Sequence, residues 1–482
     1  MMQELLSIDI WKERVITKTN STYLKNNQLK VGVISLGCSK NRVNTEQMMF
    51  LLSNAGYLIT GDTENADIIL INTCGFIESA KTEATRTILE FSEAKKEGRI
   101  KTLVVAGCLP QRYKEKILND LPEIDALVGT GSFDDIVDII KQGDRYTASL
   151  SGKNEAAYLS PCFSFNDINS LVSETPRIIS TSPVWAYIKI AEGCDNCCAY
   201  CCIPDIRGKF RSRPMENIIA EAEKLAENGI QELIVVAQDV TMYGLDIYGK
   251  RMLSALLTEL NKIKKLKWIR LHYLYPEQID DELIDVIAKS DRIIKYLDIP
   301  VQHINDKILQ KMNRRGSGKS IRGLFNKLRE RIPGVVLRTS LITGLPGEGE
   351  DEFKELYDFI KESKIERVGV FPYSPEEGTK AALMENPGNE IAEKRADKLM
   401  NLQSHIMEEW NNTRVGTVTD IILEDMTTEI EGKTYYLARS YAESPEIDGY
   451  ILIEHKKNTE AVYLSPCLIT KILNGNLIGE FL

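Results

Sequence analysis

The run EGCDNCCAYCCIP, residues 192–204, contains the one C-x3-C-x2-C triplet that the ten cysteines of this chain can form. Its members are Cys194, Cys198 and Cys201. Three thiolates on one short loop can ligate three irons of a 4Fe-4S cluster and leave the fourth iron without a protein ligand. An open iron can bind a small molecule and pass an electron to it, so the run predicts radical chemistry.

The same run also contains two adjacent C-x2-C pairs, Cys194 with Cys197 and Cys198 with Cys201, a pairing typical of zinc half-sites. A zinc ribbon needs roughly 12 to 20 residues between its two pairs so that they can converge on a tetrahedron. Here the pairs are directly adjacent, which makes zinc the less favoured alternative. Structural disulfides are less favoured still in a reducing compartment.

A second group of cysteines follows three apolar runs, VGVISL from Val31, ADIILIN from Ala66 and TLVVAG from Thr102. Each run precedes a segment with helical spacing, so a parallel βαβ sheet is predicted. The carboxyl ends of parallel strands lie side by side, and cysteines placed there can meet in space. We therefore predict a second three-thiolate site, with three separately buried cysteines as the alternative. Its members are Cys38, Cys74 and Cys108.

From Val184 onward the chain repeats a strand followed by a helix, a pattern that predicts a partial (β/α) barrel. The C-x3-C-x2-C run follows the first of these strands, which would place its cluster at the mouth of the barrel. From Arg414 onward, short strands separated by turns predict a small β-barrel. This last segment has 6 Lys and Arg against 11 Asp and Glu, a balance unusual for a barrel that binds nucleic acid.

Length and composition set the remaining limits. A chain of 482 residues predicts two or three domains. Its hydrophobic content of 43% is that of a globular protein. The net charge of -10 argues against broad affinity for nucleic acid and suits a basic partner.

No stretch of the sequence approaches the roughly 20 apolar residues of a membrane span, and the first 20 residues are too polar for a signal peptide. We expect a cytoplasmic protein without a membrane partner. The predicted organisation is an extension at 1–29, an N-terminal three-cysteine domain at 30–142, a linker with at most one strand at 143–181, a core at 182–413 and a terminal barrel at 414–482.

Several motifs together resemble the radical S-adenosylmethionine methylthiotransferases over about residues 30–482. They are SLGCSKN, NTCGFIESA, GCLPQRY, AQDVTMYGLDIYG, YLDIPVQH, PYSPEEGT and ARSYAESPEIDGY. Within that superfamily they are more similar to the branch that modifies ribosomal protein S-twelve than to the MiaB-like branch that modifies tRNA. The resemblance implies an α/β fold: an N-terminal parallel α/β domain, a radical core built on a partial (β/α) barrel, and a TRAM-like C-terminal β-barrel.

The resemblance also implies the cofactors, two 4Fe-4S clusters and S-adenosylmethionine. By the family's motifs, Cys194, Cys198 and Cys201 would ligate the radical cluster, and Cys38, Cys74 and Cys108 an auxiliary one. Cys197 and Cys202 fall outside both sets. The chain reads GLPGEGE where the family usually has a threonine after the glutamate, a departure that affects no ligand.

The implied reaction adds a methylthio group to the β-carbon of an aspartate, after hydrogen abstraction by a 5'-deoxyadenosyl radical. The implied substrate is ribosomal protein S-twelve, free or in the small ribosomal subunit, and the electron donor is of the flavodoxin or ferredoxin class. The alternatives are a tRNA adenosine methylthiotransferase and, in another class, a zinc- or cluster-stabilised binding module without catalysis. No catalytic base and no oligomeric state is predicted.

Residues at strand ends near the predicted barrel mouth are candidates for contacts with S-adenosylmethionine. An arginine there could bind the methionine carboxylate in a forked geometry. The alternative for the glutamines is a hydrogen bond that caps a strand, and TGLPG could be an ordinary turn. The candidates are Gln238, Gln302, Arg338, Gly344 and Gly347.

The run KMNRRGSGKSIRG, residues 311–323, has five basic residues and no acidic one. Two interpretations remain open. It is either a solvated loop or a contact for ribosomal RNA or a substrate phosphate.

Overall fold

The structure, a computed structural model, describes residues 28–150, 161–455 and 464–482. Most of the predicted extension and residues 151–160 of the predicted linker lie outside this range. The described residues divide into two compact units. The first comprises the described residues up to Ser180 together with Glu192–Asp195 and Cys201–Arg211, and the second comprises Thr181–Ala191, Asn196–Tyr200 and the described residues from Ser212 to Leu482.

The first unit contains a parallel sheet with the strand order β2-β1-β3-β4-β5-β6. Every residue of β3 and β4 is buried. Uninterrupted Ile, Leu and Val runs of this kind are expected where helices cover both faces of a parallel sheet. The strands are β1 (Lys30–Ser35), β2 (Leu58–Thr60), β3 (Ile68–Thr73), β4 (Thr102–Gly107), β5 (Ala126–Val128) and β6 (Cys162–Ser164).

The α-helices of the first unit are α1 (Ser39–Asn54), α2 (Glu78–Lys96), α3 (Cys108–Tyr113), α4 (Ile117–Asp120), α5 (Ile136–Leu150) and α6 (Ile203–Arg207), with 3-10 turns at Lys114–Lys116 and Phe133–Asp135. Helices α1 and α5 pack on one face of the sheet, and α2 packs on the other.

The segment predicted as a linker contributes to the first unit. Helix α5 continues to Leu150, past the predicted boundary at residue 142. Strand β6 then pairs in parallel with β5, and the backbone N–H of Cys162 donates to the Asp125 carbonyl over 2.9 Å. Cys162 is buried in the same hydrophobic core as α1 and α5.

The second unit contains a parallel sheet with the order β14-β13-β12-β11-β10-β7. Strands β7 and β14 are its edges, so the sheet is open, as the predicted partial barrel requires. The strands are β7 (Trp185–Lys189), β10 (Glu232–Val236), β11 (Trp268–Leu271), β12 (Ile293–Asp298), β13 (Val336–Thr343) and β14 (Arg367–Pro372), while β8 (Ala191–Glu192) and β9 (Arg211–Ser212) form a separate short sheet.

Helices alternate with these strands. They are α7 (Met215–Glu227), α8 (Leu245–Tyr248), α9 (Leu253–Leu260), α10 (Asp281–Lys289), α11 (Asp306–Lys311), α12 (Gly318–Arg331), α13 (Glu350–Ser363) and α14 (Asn389–Arg414), with 3-10 turns at Val240–Met242, Pro276–Gln278 and Ala381–Leu383. Within the described part of the chain, none of the helices combines the length and apolar character that crossing a bilayer would require.

The C-terminal strands close into a barrel with the order β15-β16-β17-β19-β18, which confirms the predicted terminal β-barrel. Its core is aliphatic and includes Cys467, which is fully buried. The strands are β15 (Val418–Ile430), β16 (Lys433–Arg439), β17 (Ile451–Glu454), β18 (Leu464–Leu473) and β19 (Asn476–Phe481).

A loop of this barrel, residues 440–448, contacts the strands of the second unit's parallel sheet. Tyr296 on β12 donates its hydroxyl to Asp448 over 2.6 Å. Ser444 is 2.9 Å from the ring Nε2 of His272, the residue directly after β11. The β-barrel and the parallel sheet are therefore joined by polar contacts that sequence patterns alone do not indicate.

Candidate functional site

The first group of candidate ligands lies at one edge of the first unit's sheet. Cys38 directly precedes α1, Cys74 directly follows β3, and Cys108 is the first residue of α3, directly after β4. Strands β1, β3 and β4 are neighbours in the sheet. Three cysteines therefore follow the carboxyl ends of three adjacent strands.

Asn41, in the first turn of α1, connects these strand ends. Its amide nitrogen donates to the carbonyls of Leu36, over 3.1 Å, and Thr73, over 3.0 Å. Its amide oxygen lies 3.6 Å from the Cys108 sulfur. The loops that carry the cysteines are also close to one another, because a Cβ placed on Gly37 would be 3.5 Å from the Cys74 sulfur.

The electrostatics of the three thiols also indicate that they are neighbours. Burial raises the pKa of Cys74 to about 12, and the charges of Cys108 and Cys38 add to that effect. Burial likewise raises the pKa of Cys108. For Cys38, burial is opposed by the positive charges of Lys40 and Arg207, which bring its pKa below the ordinary value.

Arg207, the last residue of α6, is a basic group beside this site, and sequence reasoning did not single it out. It is 3% exposed, and its Nη2 lies 3.4 Å from the Cys108 sulfur. It follows the cysteine loop in a stretch with several basic residues, RGKFRSR at 207–213. The pattern of that stretch carries no signal that one of its side chains reaches a cysteine 99 residues earlier.

The C-x3-C-x2-C loop begins with a constrained turn in the first unit. Gly193 has φ +79°, and a Cβ placed on it would overlap the Lys209 carbonyl oxygen. The Cys194 N–H donates to the Gly208 carbonyl over 3.1 Å. At the other end of the loop, the Ile203 N–H donates to the Cys201 sulfur over 3.4 Å. Backbone contacts of α6 and the residues after it therefore fix both ends.

Residues 196–200 belong to the second unit, where Arg314 approaches Cys198. The Nη1 of Arg314 lies 3.9 Å from the Cys198 sulfur, and its Nη2 donates to the Pro300 carbonyl over 2.7 Å. Its guanidinium carbon lies 4.2 Å from the centre of the Tyr275 ring. A cation over an aromatic ring beside a cysteine can offset the charge of a thiolate.

Arg314 belongs to the basic run at 311–323, and its burial bears on how that run is interpreted. Arg314 and Met312 are buried, whereas Lys311, Arg315 and Lys319 are exposed. The run is therefore not uniformly solvated. One of its arginines is part of the site around Cys198.

The two extra cysteines of the loop have different surroundings. Cys197 is exposed and has φ +44°, and its carbonyl accepts a hydrogen bond from Asn313 over 2.9 Å. Cys202 is buried and packs with Cys108, Ile206 and Phe76 in a small hydrophobic cluster of the first unit. Cys202 is thus part of the packing behind the first cysteine group.

The donor chemistry of both trios fits iron–sulfur clusters. Thiolates are soft ligands that favour iron–sulfur clusters and zinc. Across residues 28–150, 161–455 and 464–482, no group of three or more His, Cys, Asp or Glu side chains is arranged to hold a single metal ion. A 4Fe-4S cluster instead distributes its thiolates over separate irons, one sulfur each, so its ligands need not converge on one point.

The candidate cofactor contacts lie at or after strands of the second unit. Gln238 follows β10. Gln302 has φ +69° and bridges to β13 through its backbone, because its N–H donates to Ser340 and its carbonyl accepts from Ile342. Gly344 directly follows β13 and Gly347 lies three residues further on, and both have positive φ.

Arg338, on β13, has two carboxylate neighbours. Its Nη1 donates to Asp298 over 2.6 Å, and its Nε lies 4.0 Å from Asp448 in the barrel loop. Binding of a ligand carboxylate by Arg338 would therefore compete with these ion pairs.

Three family models match the chain: Uncharacterized protein family UPF0004 over residues 30–129, Radical SAM superfamily over residues 188–360, and TRAM domain over residues 415–482. Together with the open parallel sheet and the cysteine loop after its first strand, these matches define a radical S-adenosylmethionine enzyme with an additional three-cysteine domain and a terminal TRAM barrel.

The chain is also similar over most of its length to several curated proteins named ribosomal protein uS12 methylthiotransferase RimO. The protein of Clostridioides difficile (strain 630) is 46% identical over 94% of this chain and 99% of its own length. That of Acetivibrio thermocellus is 45% identical over 94% and 98%. The chain belongs to the RimO family of radical S-adenosylmethionine methylthiotransferases.

Solved structures share the fold at much lower identity. The radical S-adenosylmethionine methyltransferase TsrM from Kitasatospora setae, solved with cobalamin and a [4Fe-4S] cluster bound, is 14% identical with a TM-score of 0.51. That match covers 76% of this chain and 78% of TsrM. At this identity the similarity concerns the fold alone.

Proposed function

We propose that this enzyme transfers a methylthio group to the β-carbon of an aspartate side chain in ribosomal protein uS12. The observation that carries the proposal is the 45–46% identity to RimO proteins over 93–94% of the chain and almost the whole of each relative. An alignment of that extent must include both cysteine trios and extend into the terminal barrel.

The cofactors are two 4Fe-4S clusters and S-adenosylmethionine. Cys194, Cys198 and Cys201 would hold the radical cluster, while the auxiliary cluster would be held by Cys38, Cys74 and Cys108. When bound, these groups supply the one-electron reduction, the hydrogen-abstracting radical and the sulfur.

Residues of the second unit hold the middle, residues 196–200, of the C-x3-C-x2-C loop at 194–201, which we call the radical loop. The Ala199 N–H donates to the Met312 carbonyl over 2.9 Å, and the Ala199 carbonyl accepts from Ala381 over 2.8 Å. Asn196 donates to Asp239 over 2.8 Å. These bonds hold the middle of the loop, and Arg314 places a positive charge beside Cys198.

Contacts to S-adenosylmethionine are assigned to the mouth of the parallel sheet. Gln238 and Gln302 would contact the nucleoside, Arg338 the methionine carboxylate, and the backbone at Gly344 and Gly347 would allow close approach of the ligand. The positions of Gln238, Gln302, Gly344 and Gly347 at or after strand ends support their assignment, since ligands bind at the carboxyl ends of parallel strands. Arg338 is instead the third residue of β13 and is assigned for its guanidinium alone.

The organisation proposed for the whole chain is a three-cysteine domain at 30–142, a connecting segment at 143–181, a radical core at 182–413 and a TRAM barrel at 414–482. A ribosomal substrate implies a cytoplasmic location. A flavodoxin or ferredoxin would supply the electron.

The competing substrate is a tRNA adenosine. The terminal segment carries 11 acidic against 6 basic residues, and such a surface would repel a polyanion but attract a basic ribosomal protein. This charge balance favours uS12 over tRNA as the substrate.

The test is the mass of uS12 from a strain that lacks this gene, compared with the parent strain and with a strain complemented by the intact gene. We expect uS12 from the deletion strain to be lighter by one methylthio substitution. An unchanged uS12 mass, accompanied by loss of methylthioadenosine from tRNA, would transfer the proposal to the tRNA substrate.

A further inference from the structure

Arg207 is a buried cation to which the proposed function gives no role. Its guanidinium makes contacts with four side chains, all within the first unit. Nη1 lies 2.9 Å from Asn44 Oδ1 and 3.2 Å from Glu192 Oε2. Nη2 bonds to Asn41 Oδ1 and lies 3.4 Å from the Cys108 sulfur.

These partners come from different parts of the chain. Asn41 and Asn44 lie on α1, which begins directly after Cys38. Cys108 begins α3, and Glu192 lies two residues before Cys194. Arg207 itself ends α6, the helix that follows Cys201 and Cys202. One side chain thus connects the start of the radical loop with the site of the other cysteine trio.

The geometry requires an arginine. A planar guanidinium directs its N–H groups in a fixed fork and can serve several acceptors at once, whereas a lysine ammonium is a point charge on a flexible stem. Arg207 is only 3% exposed, so its charge needs negative partners nearby. Glu192 supplies one such charge, and a deprotonated cysteine would supply another.

We propose that Arg207 is a positioning residue of the auxiliary cluster: it orients and partly neutralises the Cys108 thiolate, and it thereby raises the reduction potential of the cluster that Cys38, Cys74 and Cys108 hold. The proposal rests on the proposed function, because it requires that these cysteines hold a cluster. Hydrogen bonds to cluster sulfurs and nearby positive charge favour the reduced, more negative state.

The test uses the full chain in a background with Cys194, Cys198 and Cys201 each changed to alanine, so that only the auxiliary cluster can form. After anaerobic reconstitution, iron content and the midpoint potential are measured by an EPR-monitored redox titration. Arg207→Gln should shift the midpoint to a lower potential or lose the cluster. Arg207→Lys keeps the positive charge but not the forked N–H geometry of the guanidinium, so it should shift the midpoint potential less.

The matched control is Arg177→Lys. Arg177 is also buried and binds α1, through an ion pair of 2.6 Å with Glu46. This variant controls for disturbance of a buried ion pair on the same helix. The midpoint potential of its auxiliary cluster should equal that of the parent. Circular dichroism establishes that each variant folds, and if Arg207→Gln does not fold, the Arg207→Lys comparison decides.

Two negative results are distinguishable. If the parent with the three alanines binds no cluster, the ligand assignment in the proposed function fails, and the role of Arg207 fails with it. If the parent binds a cluster but the Arg207 variants match Arg177→Lys in iron content and potential, only the role of Arg207 is overturned.

Discussion

Arg439 on β16 donates from Nη2 to Glu232 Oε2 on β10 over 2.8 Å, and both side chains are fully buried. The two residues are 207 positions apart in sequence. Arg270 on β11 binds the other oxygen of Glu232 over 2.6 Å, and Arg439 also pairs with Glu424. This network joins the terminal barrel to the parallel sheet within the second unit.

Removal of Arg439 should strongly destabilise that unit. Arg439→Ala would leave two buried carboxylates without their shared cation, and breaking a buried ion pair in this way costs roughly 3 to 5 kcal/mol. We expect a loss of that size in the free energy of unfolding, measured by urea denaturation. Arg322→Ala is the control, because its pair with Glu362 is partly exposed and should contribute at most about 1 kcal/mol. Equal losses in the two variants would contradict the prediction.

A second prediction concerns acid stability. Although burial opposes ionisation of Glu443, Arg414 and Arg367 hold its pKa at about 2. An unfolded glutamate has a pKa of about 4.3, so the folded state binds its proton less tightly. The stabilisation by Glu443 should therefore be complete above about pH 5 and be lost as the pH falls toward 2.

Thermal unfolding between pH 7 and pH 3 measures this effect. Glu443→Gln should lower the melting temperature at pH 7 and flatten its decline below pH 5. Glu409→Gln is the control, since Glu409 pairs with Lys364 in an exposed ion pair. The explanation is wrong if the Glu443 variant keeps the full acid dependence of the parent.

The parts of the fold that sequence predicted well are those with a strong local pattern. The apolar runs that became β3 and β4 are buried along their whole length, and strands of that kind are recognised from hydrophobicity alone. The placement of Cys38, Cys74 and Cys108 after adjacent strands follows from the geometry of parallel sheets.

Other features were not predictable because they depend on contacts between distant residues. At most one strand was expected in the segment 143–181, and its place was not predicted, because strand β6 has three residues in a polar segment and only its pairing with β5 fixes where it lies. The approach of Arg207 to Cys108 and of Arg314 to Cys198 depends on tertiary packing, since basic residues in polar runs are usually solvated. The contacts of the loop at 440–448 with the parallel sheet also join residues that are distant in sequence, and no local pattern predicts them.

A third prediction tests the turn before the radical loop. Gly193→Ala would place a methyl group against the Lys209 carbonyl in a residue with positive φ. The Cys194 end of the loop would then have to shift, so we expect loss of radical-cluster iron and of S-adenosylmethionine cleavage. Gly249→Ala is the matched control, because Gly249 also has positive φ but a Cβ there meets no atom within 4 Å. Iron analysis of both variants decides, and full iron loading of Gly193→Ala would contradict the prediction.

The last prediction separates the two cysteine trios and also tests the zinc alternative. Anaerobic reconstitution should give about eight irons per chain, four from each cluster. Cys198→Ala should abolish S-adenosylmethionine cleavage, because Cys198 is a proposed ligand of the radical cluster. Cys74→Ala should retain cleavage yet lose sulfur insertion into a uS12 substrate.

Cys197→Ala provides the control for these two variants. Cys197 is exposed and lies outside the C-x3-C-x2-C triplet, so its replacement should preserve both iron content and cleavage. In a zinc site built from two C-x2-C pairs, however, Cys197 would be a ligand equal to Cys198. If the parent protein contains zinc rather than iron, and both Cys197→Ala and Cys198→Ala lose that metal, the loop binds zinc through its two C-x2-C pairs. The assignment of this loop to a radical cluster would then be wrong.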